Sequence, residues 1–182
     1  CEHLMDMAAE SLAMCPSLHT VNFSNCEQLT DKTAESLAMC PSLHTVCLTS
    51  CDKLTEKAAE SLSMCPFLHT LIFSKTMAAS FPIMCPSLRI VNFSQSRPLT
   101  DKAALSLARG RTVKLAPCSQ LTDKAAASLS IVCPSLHIVN FSGCQLTDKA
   151  AESLSICAYL HTVNFLNCKQ LTDVAAAHLS MC

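Results

Sequence analysis

The feature that most constrains this chain is a sequence block that occurs seven times along its 182 residues. In its fullest form, at residues 15–26, the block reads Cys-Pro-Ser-Leu-His-Thr-Val-Asn-Phe-Ser-Asn-Cys. The seven copies end at Cys26, Cys51, Thr76, Ser96, Cys118, Cys144 and Cys168, with separations of 25, 25, 20, 22, 26 and 24 residues. A period of this length predicts a stack of about seven similar units, each contacting mainly its neighbours.

Each repeat contains two segments with different periodicity. Apolar Val21 and Phe23 alternate with polar neighbours, which predicts a half-buried strand. Residues 30–38 carry a single apolar stripe, which is typical of a short amphipathic helix. Thr30 or Asp31 is expected to accept a hydrogen bond from the first helical turn. We therefore interpret the recurring Asp as a helix cap and not as half of an acid–base pair.

One strand and one helix cannot bury their own apolar faces, so the units are expected to stack. The sequence predicts an α/β solenoid over residues 1–182, as one domain, with a parallel sheet on the concave side and short helices on the convex side. The apolar pattern continues to both ends, at Leu4 and Leu179, without the polar face of a terminal cap. We therefore expect a fragment of a longer repeat protein, or self-association through uncapped ends.

The pattern Leu-x-x-Val-x-Phe-x-x-Cys followed by Leu-Thr-Asp resembles the cysteine-containing subclass of leucine-rich repeats. That subclass is best known in F-box proteins, the substrate receptors of cullin–RING ubiquitin ligases. The resemblance implies the solenoid fold and a protein-binding role, with substrate recognition for a ubiquitin ligase as its specific form. Two neighbouring repeats depart from the pattern within residues 75–118: residues 75–84 lack Leu-Thr-Asp, and residues 109–111 replace the Cys-Pro-Ser-Leu entry.

Composition excludes several classes of function. The net charge of −1 gives no basic excess for nucleic acid, and the apolar runs are too short to cross a membrane. Only 2 glycines are present, so no glycine-rich phosphate loop exists. The 14 cysteines recur beside Leu and Val as small apolar residues, which favours free thiols and a cytoplasmic or nuclear protein.

A metal site and a thiol nucleophile are the two chemical alternatives. Cys and His recur with a Cys-x3-His spacing, as at Cys15 and His19, but zinc needs four converging ligands and these pairs are stacked one per repeat. We expect a buried thiol beside an exposed imidazole. Cys47 replaces an outward Asn and is the thiol expected on the concave face, as an incidental exposed Cys or as a reactive sensor. We expect no enzyme activity and no cofactor.

The candidate binding surface is the concave face of the middle repeats. The regular repeats present a uniform Thr-Asn-Ser surface, whereas the middle ones add outward Ile and fixed positive charge. An apolar centre with a charged rim is typical of a protein interface, and the charge predicts an acidic segment in the protein partner. The alternatives are decayed repeats and a structural solenoid without a dedicated ligand. The candidate residues are Ile72, Lys75, Arg89, Ile90, Arg111, Lys114, Asn92 and Asn140.

Overall fold

The strands form one open sheet in which sequence order and spatial order coincide. The structure, a computed structural model, describes residues 3–73, 87–94, 99–101, 110–115 and 117–180. All neighbouring strands are parallel and keep one register, so that Thr20 pairs with Thr45 and Thr45 with Thr70. The strands are β1 (Thr20–Asn22), β2 (Thr45–Leu48), β3 (Thr70–Phe73), β4 (Ile90–Asn92), β5 (Thr112–Lys114), β6 (Ile138–Asn140) and β7 (Thr162–Asn164). The predicted leucine-rich-repeat solenoid is confirmed.

Short helices cover the other side of the stack. In the described residues they are α1 (Asp6–Ala13), α2 (Asp31–Ala38), α3 (Glu56–Ser63), α4 (Asp123–Val132), α5 (Asp148–Leu154) and α6 (Asp173–Leu179). Five of these six begin after a Thr whose hydroxyl accepts a hydrogen bond from the backbone N–H two residues later, as Thr30 does from Lys32 at 3.4 Å. Helix α1 follows Met5 and has no side-chain cap. Thr, and not Asp, is thus the capping residue.

The recurring Asp joins one repeat to the next, which corrects its interpretation as a cap. The Asp123 carboxylate accepts hydrogen bonds from the Thr147 backbone N–H at 2.8 Å and from its hydroxyl at 2.7 Å. The described pairs are Asp6–Thr30, Asp31–Thr55, Asp101–Thr122, Asp123–Thr147 and Asp148–Thr172. We call each pair an Asp–Thr seam. The Thr therefore caps its own helix and anchors it to the preceding unit.

In four of the described repeats the strand ends in a tight turn that brings a cysteine into the core. Asn25, Ser50, Gly143 and Asn167 adopt left-handed backbone angles immediately before Cys26, Cys51, Cys144 and Cys168. The Cys51 thiol donates to the Phe23 carbonyl at 3.1 Å, one repeat back. At Gly143 a Cβ would lie 3.3 Å from Pro117, so glycine suits both the angle and the space. These turns hold the end of each strand against the preceding repeat.

The sheet runs through the irregular middle of the array without interruption. Ile72 pairs with Asn92, and Asn92 pairs with Lys114, in the same register as the regular repeats. Residues 75–84 of the shortened repeat lie outside the described residues. In the described part of the chain, every helix is too short to span a membrane.

Candidate protein-binding surface

The strand register brings most of the predicted site residues into two adjacent columns. Ile72, Asn92, Lys114 and Asn140 are successive partners in β3 to β6, and so form one column on the outward face. Lys114 is exposed, and the other three side chains are half-buried. Side chains two residues apart share a face of a strand, so Ile90 lies beside Asn92 on the same surface.

The second column contains the exposed Ile90, at 38% exposure, between Thr70 and Thr112. Arg89 and Arg111 immediately precede these strands, and the Arg111 backbone N–H donates to the Arg89 carbonyl at 2.8 Å. Arg89 is half-buried and Arg111 is exposed. The remaining predicted residue, Lys75, lies outside the described residues. The structure therefore brings seven of the eight predicted residues onto one surface, and whether that surface binds a partner stays a prediction.

The outward asparagines of the described strands accept hydrogen bonds from within their own repeats. The Asn140 side-chain oxygen accepts from the Ser142 backbone N–H at 2.9 Å and from its hydroxyl at 2.7 Å. Asn22 does the same with Ser24. Each Asn thus shapes the turn that leaves its strand, which limits its freedom to contact a partner.

A continuous column of basic and titratable side chains lies where the strands begin. Backbone hydrogen bonds of 2.8–3.0 Å join each member to the next, from the N–H of one to the carbonyl of the previous one. We call this set the histidine column: His19, His44, His69, Arg89, Arg111, His137 and His161. The repeat pattern predicted the column itself but not the contacts of its rings.

Neighbouring rings of the histidine column lie in contact, stacked between His19 and His44, tilted between His44 and His69 and edge-on between His137 and His161, and two aromatic side chains stack on the column. The ring centroids of His44 lie 5.1 Å from His19 and 4.9 Å from His69. Phe67 stacks against His44 at 6.3 Å, and Tyr159 against His137 at 5.9 Å. Both aromatic residues stand where other repeats have Ser after Cys-Pro or its equivalent. That substitution was the available signal for this part of the surface, and sequence reasoning missed it.

Exposed apolar side chains border the histidine column at the helix ends. Met14, Met39 and Met64 are 85%, 79% and 74% exposed, and each occupies the C-cap of its helix. Ile131 and Ile156 lie at the corresponding ends of α4 and α5, at 74% and 68% exposure. Their spacing of one per repeat was visible in the sequence, yet neither the helix stripe nor the strand alternation includes them.

Most of the cysteines are in no position to act as nucleophiles. Burial raises the pKa of Cys51 to about 11 and that of Cys144 to about 12, which keeps both thiols protonated near neutral pH. None of the eleven described cysteines is joined in a disulfide. Cys47 is half-buried on the outward face, with its sulfur 3.0 Å from the Ser24 hydroxyl and 3.2 Å from the Thr49 hydroxyl.

The Cys-x3-His pairs follow the expected arrangement except that Cys15 is exposed and that the imidazoles of His44 and His137 are half-buried. Cys40, Cys65, Cys133 and Cys157 are buried, but Cys15 is exposed. The Cys40 sulfur lies 3.8 Å and 3.6 Å from the Cys15 and Leu18 carbonyls of the preceding repeat, and Cys15 belongs to the first repeat of the array. Within the described ranges, no three His, Cys, Asp or Glu side chains are grouped so that they could hold a metal ion.

Charge is strongly segregated between the two sides of each repeat. The sequence has no Asp or Glu from the last helical turn through the loop and strand of any repeat: residues 11–26, 36–51, 61–100, 102–122, 124–147 and 153–172 hold none. Among the described residues, the carboxylates lie in the strand-to-helix turn or within the first five residues of a helix, whereas Arg89, Arg111 and Lys114 lie at the strands. A net charge of −1 therefore conceals a positive concave face.

Comparison with known proteins agrees with this architecture. The profile described as Leucine Rich repeat matches residues 15–38 and 132–155, which are two of the regular repeats. The chain therefore contains leucine-rich repeats and folds as a leucine-rich-repeat solenoid. The two matches lie on either side of the irregular repeats, and the continuous sheet carries the leucine-rich-repeat register between them. No curated protein sequence matches the chain significantly.

Solved structures resemble the whole leucine-rich-repeat array. A chain in the crystal structure of the yeast Rad7–Elc1 complex has a TM-score of 0.55 and 18% identity, over 97% of this chain and 63% of that chain. The present chain thus spans less than two thirds of that relative. The plant peptide hormone receptor RGFR1, solved with RGF2, has a TM-score of 0.50 and 12% identity, over 94% of this chain and 32% of that chain. At such identities the likeness shows the fold alone.

Proposed function

We propose that this protein is a non-catalytic scaffold that binds a protein partner on the concave face of its middle repeats. The observation that carries the proposal is the charge segregation: Arg89 and Arg111 at the entries of β4 and β5, and Lys114 in β5, accompany the exposed Ile90 on strands and entry loops whose sequence lacks carboxylates. An apolar centre within a basic rim favours a partner that presents an acidic segment. The cysteines recur as small, mostly buried apolar residues, which supports a cytoplasmic or nuclear location.

The more specific form of this function is substrate recognition for a ubiquitin ligase of the F-box type. Its support is the likeness of the repeat motif to the cysteine-containing leucine-rich repeats of F-box proteins. In this role the repeats would hold a substrate while another part of the receptor contacts the ligase. A structural solenoid that associates with itself is the alternative, and it predicts that the concave substitutions described next have no effect on binding.

The test compares two double substitutions that remove equal positive charge from opposite sides of the solenoid. Arg89→Ala with Lys114→Ala changes the concave face, and Lys124→Ala with Lys149→Ala changes the helices. Partners captured from a cell extract are identified, and the affinity of each purified partner is then measured at two salt concentrations. We expect only the concave variant to lose affinity, by roughly tenfold or more, and salt to weaken the wild-type complex. Equal losses in both variants would place the interface elsewhere.

A further inference from the structure

Three rings of the histidine column are oriented so that Nδ1 is hydrogen-bonded and Nε2 is left available. The Nδ1 atoms of His19, His44 and His137 lie 2.6, 2.5 and 2.6 Å from the backbone carbonyls of the serines two residues before them. A carbonyl oxygen only accepts hydrogen bonds, so Nδ1 of each ring carries the donated hydrogen. The neutral ring therefore keeps its lone pair on Nε2. That atom can gain a proton without breaking the bond that orients the ring.

The closely spaced rings of the column suit an anionic ligand. The rings of His19 and His69 contact His44, those of Tyr159 and His161 contact His137, and the His137 backbone N–H donates to the carbonyl of Arg111 in the neighbouring repeat. Imidazolium rings about 5 Å apart repel each other, and a carboxylate placed against them offsets that repulsion. The surrounding loops and strands supply no carboxylate of their own. An acidic ligand would therefore meet no competing carboxylate on this surface.

The border of the column is apolar, which indicates what kind of anion fits. Met39 and His44 belong to one helix-to-strand loop, and Met64 and Phe67 belong to the next. Phe67 is 53% exposed and Tyr159 is 62% exposed, in addition to the exposed helix-end Met side chains. Nucleic acid offers phosphates but few aliphatic groups for such a border, whereas a peptide can offer carboxylates and aliphatic side chains together.

We propose that the histidine column, together with the exposed Met39, Met64, Phe67 and Tyr159, is a binding track for an acidic, partly apolar peptide segment that crosses the strands. Seven strands spaced about 4.8 Å apart give a track of about 29 Å, which matches about nine residues of extended peptide. Binding strengthens as the pH falls, because protonated imidazoles add to the fixed charge of Arg89 and Arg111. This inference deepens the proposed function, since it names the partner chemistry and extends the surface to the stacked histidines.

The direct test uses a fluorescein-labelled ten-residue peptide of alternating Glu and Leu, with a Gln-for-Glu peptide as control. Anisotropy titrations of the whole chain are run at about pH 6 and about pH 8, a range across which imidazoles generally change charge. We expect the acidic peptide to bind roughly tenfold more tightly at the lower pH, and the Gln peptide to bind weakly at both. Failure of the acidic peptide to bind at the lower pH overturns the proposal. So does tighter binding of an oligouridylate of equal charge.

Matched histidine variants locate the effect. His44→Gln with His69→Gln removes two rings of the column, whereas His3→Gln with His178→Gln removes two imidazoles outside it. We expect the first pair to abolish most of the pH dependence and the second to preserve it, with closely similar melting temperatures. Equal pH dependence in both variants overturns the proposal. Met39→Ser with Met64→Ser should weaken the Glu-Leu peptide severalfold, and an unchanged affinity removes the apolar border from the track.

The same measurements separate this inference from the proposed function. Lys114 lies in the column of Ile72 and outside the histidine column. If the His44/His69 variant binds the peptide like wild type while Arg89→Ala with Lys114→Ala still loses the protein partner, the track fails and the scaffold function stands. If peptide binding requires His44 and His69 but no partner loses affinity for the Arg89/Lys114 variant, the proposed partner site on the middle repeats is wrong and the binding track stands.

Discussion

Two sets of stacked rings cross the same sheet, one closed from solvent and one open to it. At the ends of the strands, Phe73 stacks on Phe93 at 6.4 Å, and Phe141 on Phe165 at 6.3 Å. At the beginnings of the strands, the histidine ring centroids lie 4.9–5.5 Å apart, in stacked, tilted and edge-on pairs. Both sets arise because the repeat places like residues side by side. The difference lies in what covers them: Phe73, Phe93 and Phe141 are at most 2% exposed, whereas His19, His69 and His161 are exposed.

The largest expected difference in the free energy of unfolding is between a variant that loses a buried phenylalanine ring and one that loses a histidine ring of the same repeat. Phe141→Ala should lower the free energy of unfolding by about 3–5 kcal/mol, because it leaves a cavity in a fully buried site. His137→Ala, in the same repeat, should change it by less than about 0.5–1 kcal/mol, because its ring is only partly buried. Urea denaturation of both variants measures the difference. Equal losses would show that the histidine stack is as structural as the phenylalanine stack.

A smaller loss is expected at an Asp–Thr seam. Asp123→Ala removes both hydrogen bonds to Thr147 and should lower the free energy of unfolding by about 1–2 kcal/mol. Asp173→Ala is the matched control, since Asp173 also begins a helix but accepts no described hydrogen bond from another repeat. It should lose only the favourable interaction with the helix dipole, about 0.3–1 kcal/mol. Thermal melts of the two variants distinguish the seam from a general effect of the helix N-terminus.

Low pH should weaken the Asp–Thr seams that Asp6 and Asp148 form. Burial acts to raise the pKa of Asp6, but hydrogen bonds from Thr30 and Thr33 and the charge of Lys32 outweigh it, so the pKa lies below its ordinary value. Hydrogen bonds from the Thr172 backbone and hydroxyl lower the pKa of Asp148. A carboxyl with a lowered pKa stabilises the fold above its unfolded pKa of about 3.9, and that contribution is lost as pH falls through the folded value.

The melting temperature should therefore fall progressively below about pH 4 as these carboxylates are protonated. The Asp6→Asn, Asp148→Asn double variant should show a flatter pH dependence than wild type in that range. The change should be modest, because both carboxylates remain accessible to water. An identical acid profile in the double variant and wild type would mean that the seams contribute nothing to the pH dependence.

Alkylation of the accessible thiols should leave the free energy of unfolding almost unchanged. The order in which the cysteines react reports which of them are buried. Under native conditions an alkylating reagent should modify the exposed Cys15 and the half-buried Cys47 before Cys51 and Cys144, whose thiols are buried and have raised pKa values. Mass spectrometry of the digested protein gives the order of modification. In denaturant without reductant, close to all 14 thiols should react. Recovery of only a few would contradict the expectation of free cysteines.

Sequence periodicity predicted the elements because each depends on neighbours within one repeat. The alternation at Val21 and Phe23 predicted β1, and Thr30 was one of two expected caps for its helix. Asp31 was misassigned because its partner, Thr55, comes from the next repeat and the two meet only when units stack. The exposure of Cys15 has the same origin, since burial at that position depends on an adjacent repeat.

The binding surface was predictable in outline and not in its contacts. Register alone placed Ile72, Asn92 and Lys114 in one column, because parallel strands with equal repeats align like positions. The stacking of Phe67 on His44 needed the distance between units, which periodicity does not supply. The exposed methionines fell between the helix and strand patterns, so neither periodicity singled them out.

The Asp–Thr seam also bears on how such an array changes length over generations. The carboxylate of one unit faces the capping threonine of the next, so units that carry this pair are interchangeable at their junctions. Unequal crossing-over within the gene could then delete or duplicate a unit and still leave every carboxylate with a threonine. The near-identity of residues 15–24 and 133–142, which are far apart in the chain, is the kind of trace that such exchange leaves.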